Sequence, residues 1–355
     1  VSTYQPRWEY THPLVNDLLV IEAAREFAEF VPLPPVADLV LRQRARVRST
    51  HASTAIEGNP IPRDDVPATV LTPQARATTA QHEVRNYWRA LEWLEERAEA
   101  GDVPTEAFIR RLHALILPSG VGRPRQLSEY RTQQVVVQDA QRGTLEYMGP
   151  EWEDVPDLMA ALAAWAVSGA ARELPVVLRA GILAYQFVTI HPFMDGNGRT
   201  ARALATFELW RSGYAFRGYM AMEDYYAPWL TYFAHAMRQS AEEVRRQSTR
   251  WEGQRVEGYA LPRLSRRQQH LLVRCLNRSL THPDEPLTFT PGDIMDWFGV
   301  SDRTARDWLD EWRDAGVVIP ASGEARIRRW ALAEPLQRMV AEAREAGITE
   351  PGPQQ

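Results

Sequence analysis

The chain has no lysine. All 41 basic residues among its 355 are arginine, so neither a lysine nucleophile nor a phosphate loop of the Walker type can exist in it. It has one cysteine, Cys275, which excludes an intramolecular disulfide and fits a reducing compartment. No apolar run approaches the ~20 residues that a membrane-spanning helix needs. The first residues lack the basic segment and apolar stretch of a signal peptide, so the expectation is a cytoplasmic protein with no membrane partner. An excess of positive charge is also missing. A net charge of −5 argues against coating nucleic acid by bulk electrostatics. Hydrophobic and charged contents of 45% and 25% are those of an ordinary globular chain, long enough for two or three cores.

Helical periodicity dominates. Residues 1–36 read as an arm with one helix over Leu14–Phe30, closed by Pro32, Pro34 and Pro35. A second periodic segment, 37–57 within a unit 37–60, is stopped by Gly58-Asn59-Pro60. The unit 61–249 opens with a long helix over about 74–99, with Val84, Tyr87, Trp88, Leu91 and Leu94 at intervals of three and four. Within Tyr130–Tyr147 the β-branched Val135-Val136-Val137 and the turn Gln141-Arg142-Gly143 predict a short hairpin. Helices resume at about 155–168, 172–190, 199–212 and 224–246. The periodicity fades over 250–264, where Gly253, Gly258 and Pro262 mark a linker. From 265 to 335 the order helix, helix, turn, helix, hairpin predicts a winged helix-turn-helix, its third helix over Ser301–Ala315 opening on Ser301 as N-cap. Residues 336–355 read as a last helix and a frayed tail.

Chemistry concentrates in His191-Pro-Phe-Met-Asp-Gly-Asn-Gly-Arg-Thr-Ala-Arg202. His191 ends an apolar helix, and an imidazole with its ordinary pKa of about 6.5 accepts protons at neutral pH. Phe193 is positioned to anchor the turn. Asp195 is a lone carboxylate, sufficient for Mg²⁺ when substrate phosphates complete the coordination. Gly196 and Gly198 let backbone N–H groups approach an anion, and Asn197 adds an amide. Arg199 opens a helix whose N-terminus favours negative charge. Arg202 follows three residues later on the same face, so both guanidinium groups reach one polyphosphate.

This string resembles the signature of the Fic family, His-Pro-Phe-x-Asp/Glu-Gly-Asn-Gly-Arg-x-x-Arg. Two further segments share the likeness: Glu83-Val84-x-Asn86-Tyr87 with an earlier helix of that fold, and Glu129-Tyr130-Arg131-Thr132 with the strand leading to its flap. The resemblance spans about 40–245. It implies an all-α fold, a Fic helical core with a small β-hairpin flap. It also implies transfer of AMP from ATP to a Ser, Thr or Tyr hydroxyl of a target protein, with release of pyrophosphate. In that scheme His191 is the base and Asp195 holds Mg²⁺, or Mn²⁺ in its place. The ATP site comprises Asp195, Gly196, Asn197, Gly198, Arg199, Thr200 and Arg202, with Tyr225 and Tyr226 near the adenine. Gln134, Val135, Val136, Val137 and Gln138 would align the target by strand addition.

Ser53-Thr-Ala-Ile-Glu57-Gly58-Asn59 ends the second helix. A glutamate there opposes the helix dipole, which calls for a basic partner. One reading is a surface residue ahead of a capping glycine. The other is the resemblance to the inhibitory motif of Fic proteins that carry it N-terminal to the site. On that likeness Ser53 and Glu57 belong to an inhibitory helix, and Glu57 pairs with Arg202 and restrains the enzyme.

In the winged-helix segment, residues 301–315 hold Arg303, Arg306 and Arg313 against Asp302, Asp307, Asp310, Glu311 and Asp314. That balance disfavours phosphate contacts, so protein interaction ranks above DNA, and the resemblance to Fic proteins with a similar module implies target recruitment or a homodimer contact. The alternatives to AMP transfer are a Fic enzyme that removes AMP or uses another nucleotide, and a nucleotide-sensing DNA-binding regulator. A base at His191 favours catalysis over sensing.

Overall fold

The computed structural model describes residues 4–31, 33–117, 127–138, 145–218, 231–251, 264–321 and 328–348. Tyr225 and Tyr226, the turn Gln141-Arg142-Gly143 and most of the linker lie outside the described residues. In chain order the helices are α1 (His12–Phe30), α2 (Pro35–Ala55), α3 (Val66–Leu71), α4 (Thr79–Glu99), α5 (Glu106–Ile116), α6 (Val155–Ala166), α7 (Gly169–Arg172), α8 (Val176–Ile190), α9 (Asn197–Arg211), α10 (Thr231–Trp251), α11 (Arg266–Thr281), α12 (Pro291–Phe298), α13 (Asp302–Asp314) and α14 (Glu334–Ile348). The strands are β1 (Val136–Gln138), β2 (Leu145–Met148), β3 (Thr288–Phe289), β4 (Val318–Pro320) and β5 (Trp330–Leu332). The fold is all-α, with a two-stranded antiparallel hairpin β1-β2 and a small sheet ordered β3-β5-β4.

Caps decide where several helices begin. α4 starts at Thr79 rather than near 74, because Thr78 and Gln81 close a capping box on each other; Gln74–Arg76 forms a single 3₁₀ turn instead. Its apolar stripe Val84, Tyr87, Trp88, Leu91 and Leu94 is buried as the spacing predicts. Thr105 caps α5, which falls outside the segments read as helical, as does the short α3. α8 and α9 flank the motif and are buried along most of their length. Across them Arg179 meets the fully buried Glu208 at 2.5 Å, and Arg211 meets the same carboxylate at 2.6 Å. A charge this deep is tolerable because two guanidinium groups share it.

The apolar interior divides in two. One cluster joins α1, α4, α5, α6, α8, α9 and α10 beneath the motif. The other joins α2, α3 and α4 to α11–α14 and β3–β5. In the C-terminal segment α11, α12 and α13 are followed by the antiparallel pair β4-β5, and Ser301 caps α13. The sequence reading lacks β3, which pairs antiparallel with β5. The module is built onto the core rather than tethered beside it: Val84 and Trp88 of α4 share a cluster with Trp297, Trp312 and Leu336. Among the described residues no helix is long and apolar enough to cross a membrane.

Candidate active site

The turn between α8 and α9 carries the site, and its backbone is held in an unusual shape. His191 caps α8 in the left-handed region (φ 50°, ψ 59°), a conformation rare for a residue with a side chain. Arg131 helps hold it there. Its Nε donates to the His191 carbonyl at 2.9 Å, and its terminal nitrogens donate to the carbonyls of Gln133 (2.9 Å) and Pro150 (2.5 Å). One buried guanidinium thus fastens the turn to both ends of the hairpin segment. Burial lowers the His191 pKa below its ordinary value, with the Val188 carbonyl pulling the other way, and Arg131 adding to the depression. The imidazole is therefore neutral and basic near pH 7, as a proton acceptor must be.

Beyond it the turn is sealed from below. Phe193 is buried against His113, ring centroids 3.6 Å apart and nearly parallel. His113 in turn meets the carbonyl of Asp195 through Nε2 at 2.8 Å and the hydroxyl of Ser128 through Nδ1 at 2.6 Å. A carbonyl only accepts, so Nε2 carries the proton and the Ser128 hydroxyl donates to Nδ1. Burial pushes the His113 pKa down to about 4, keeping this tautomer neutral. His113 is absent from the sequence reading, although it shapes the loop directly.

Asn197 corrects an expectation. Its amide does not reach out as a free donor: Oδ1 accepts from Phe193 N at 3.0 Å, and Nδ2 donates to the Phe193 carbonyl at 2.8 Å. It ties the loop to the Phe193 backbone on both its N–H and its carbonyl. Gly196 adopts φ 75°, where an added Cβ would lie 3.0 Å from Leu117 and 3.3 Å from His113. Thr200 is fully buried, and its hydroxyl has no hydrogen-bond partner among the described residues. Asp195 keeps its side chain exposed, with one oxygen bonded to Gly196 N at 2.5 Å and Arg199 3.4 Å away. Arg199 also lies 3.7 Å from Glu83, which binds Asn59 at 2.7 Å.

The chain of groups Asn59–Glu83–Arg199–Asp195 leads back to the end of α2. There Arg202 is fully engaged. Its Nε donates to Ser53 Oγ at 2.9 Å, and a terminal nitrogen donates to the Ser53 carbonyl and to Glu57 Oε1, both at 2.8 Å. Glu57 Oε1 lies so close over Gly198 that a Cβ added there would come within 2.5 Å of it. A carboxylate therefore rests on the N-terminal turn of α9, where an anion is favoured.

A model of the Fic/DOC family matches residues 103–209, the segment from α5 to α9. That segment is a Fic domain. The protein adenylyltransferase Fic of Nematostella vectensis is 31% identical over 176 residues, 48% of this chain and 39% of that protein. The protein adenylyltransferase fic-1 of Caenorhabditis elegans is 33% identical over 106 residues, 30% of this chain and 19% of that protein. The chain thus spans well under half the length of either relative. Among solved structures, a Fic family protein from Desulfovibrio desulfuricans superposes with a TM-score of 0.55 at 23% identity, over 93% of this chain and 99% of that one. Fic-1 from C. elegans does so at 0.52 and 21%, over 67% and 72%. These two agree in fold.

The residues present suit a magnesium nucleotide. Glu57 already shows that an anionic oxygen fits over Gly198. The exposed carboxylate of Asp195 is a hard oxygen donor. Among the described residues no cluster of three or more His, Cys, Asp and Glu could hold an ion unaided, so the phosphates would have to complete the coordination. Of the expected flap, Gln134 binds the Gly149 carbonyl at 2.6 Å and Val136 is exposed. Val137 and Gln138 continue β1, in register with Tyr147 and Leu145.

Proposed function

We propose that this Fic protein transfers AMP from ATP to a hydroxyl side chain of a target protein and that Glu57 holds the reaction in check. The observation that carries the reading is the convergence on one turn of a neutral, depressed-pKa imidazole, an anion-binding helix start and two buried arginines. The names of the relatives, protein adenylyltransferases, point the same way.

His191 takes the proton as the target oxygen bonds to the α-phosphorus. The bond to the bridging oxygen breaks, and pyrophosphate leaves. The N–H groups of the Gly196–Gly198 loop and the start of α9 cradle the phosphates, and Arg199 and Arg202 offset the charge that builds on the leaving group. Asp195 would hold Mg²⁺, which when bound neutralises phosphate charge. The target would lie along β1 as an added strand. Protein recruitment remains the role assigned to the C-terminal module, since α13 is acidic and its Asp302, Asp310 and Asp314 sit in pairs with its own arginines.

In the described state the catalyst is closed: Arg202 is bound by Ser53 and Glu57, and the Glu57 carboxylate covers Gly198. Intact-mass spectrometry after incubation with ATP and Mg²⁺ tests both parts. Glu57→Gly should gain the mass of AMP, wild type little or none, and Glu57→Gly with His191→Ala none while still binding ATP. An unmodified Glu57→Gly protein that also fails to modify added protein substrates would overturn the activity. Equal modification of wild type and Glu57→Gly would overturn the restraint.

A further inference from the structure

The helix α2, with Ser53 in its last turn and Glu57 just beyond its end, is gripped along its first half by the C-terminal module, and we infer that this module is the part of the molecule that sets whether the site is closed. The inference rests on the proposed restraint by Glu57 and adds where its control comes from.

α2 has two buried faces. Leu41 belongs to the cluster beneath the motif, whereas Leu39, Val40 and Val47 belong to the cluster shared with α11–α14. Polar contacts reinforce the second face. Gln43 Nε2 donates to Asn277 Oδ1 of α11 at 2.9 Å, and both side chains are buried. Glu95 of α4 is the hub of a second junction. It accepts from Arg46 of α2, lies 3.7 Å from Arg42, and receives His270 at 2.9 Å and Arg266 at 3.1 Å from α11. Burial works against its charge, but Arg46, His270 and Arg266 outweigh that and hold its carboxyl well below the usual range. The carboxylate is thus a fixed negative post to which α2 and the module are both fastened.

The module is itself bolted to α4. Arg274 of α11 makes a bidentate pair with Glu92, at 3.2 and 2.9 Å, and also donates to the carbonyls of Val70 and Trp297. Arg85 and Arg89 donate to the Asp296 carbonyl in the last turn of α12, where the helix dipole favours cations. α2 is therefore held by the module from Leu39 to Val47 and meets α9 at Ser53 and Glu57. The ten residue steps from Gln43 to Ser53 span about 15 Å of rigid helix. A movement of α11 is transmitted along that rod to Arg202. A protein partner engaging the module would be positioned to drive it, and a rigid element biased from both ends is the physical requirement for coupling two sites.

The test uses the full chain. Gln43→Ala with Asn277→Ala removes one junction; Asn277→Ala alone is the milder form should the double variant melt too low to handle. Hydrogen exchange of the amides over 43–57 should quicken at least about tenfold, with α8 and α9 unchanged, the size of a modest coupling. AMP transfer should rise by a similar factor in the otherwise wild-type protein and by less than about twofold when Glu57→Gly is already present. Unchanged exchange over 43–57 would overturn the grip. Faster exchange with wild-type transfer rates, or an equal rise with and without Glu57→Gly, would overturn the coupling. If Glu57→Gly transfers nothing, the failure lies with the proposed activity, and the exchange data judge the grip separately.

Discussion

Ser53→Ala isolates the least obvious component of the restraint on Arg202. The serine is fully buried, and its hydroxyl accepts from Arg202 Nε at 2.9 Å. Alanine keeps the shape and favours the helix slightly, so α2 itself should not suffer. What is lost is an acceptor for a buried guanidinium that is only 5% exposed. A hydrogen bond to a charged group contributes about 1.5–3 kcal/mol, and the closed state alone bears this loss, because a released Arg202 finds phosphate or water. Each 1.36 kcal/mol is tenfold. The open fraction, and with it the initial rate of AMP transfer, should rise about ten- to 150-fold. Glu57→Gly should exceed it, since that change also uncovers Gly198. Initial rates from intact-mass time courses of wild type, Ser53→Ala and Glu57→Gly would establish the order. A Ser53→Ala rate equal to wild type beside a fast Glu57→Gly would refute the idea that the Ser53 hydroxyl restrains Arg202.

Two further outcomes concern His113 and Gly196. Because burial holds the His113 pKa at about 4 instead of 6.5, the unfolded chain takes up a proton below pH 6.5 that the folded chain refuses until about pH 4. The stability is whole above pH 6.5 and falls by about 3 kcal/mol on acidification through that window. Urea melts at pH 7, 5 and 4 should show this fall in wild type and a smaller one in His113→Gln. Gly196→Ala forces a side chain into φ 75° and to within 3.0 Å of Leu117. The left-handed backbone alone costs roughly 1–2 kcal/mol; calorimetric titration should show weaker binding of magnesium ATP, and unaltered affinity would mean the loop does not need that shape.

The local features were legible, and the distant ones were not. α4, α8 and α9 follow from apolar spacing, and Ser301 as the cap of α13 follows from chemistry within three residues. α5 carries a signal of the same local kind, Phe108, Ile109, Leu112 and Ile116 behind the capping Thr105. β3 has two residues and α3 has six with a proline, too few for any period to register. His113 acts on Asp195 across 82 positions of sequence, and no local pattern marks such a partner. The role of Asn197 was misread for a related reason. An amide in a glycine-rich turn suits either an outside anion or its own backbone, and only coordinates separate the two. The Glu57–Arg202 contact spans 145 positions and was visible only because the string Ser53–Gly58 resembles a known motif.

Arg131 has a consequence for which acceptors such a site would select. One planar group binds the carbonyl of the basic residue and the carbonyls on either side of the hairpin. The distance from imidazole to β1 is thereby gauged as with a caliper. A peptide laid beside β1 advances about 3.3 Å per residue and turns alternate side chains to opposite faces. If the target pairs with β1 as proposed, only one register would deliver a hydroxyl to the imidazole, and a shift of a single residue would point it away. Substrate choice would be a matter of counting along an extended strand, with little demand on the shape of the acceptor protein as a whole.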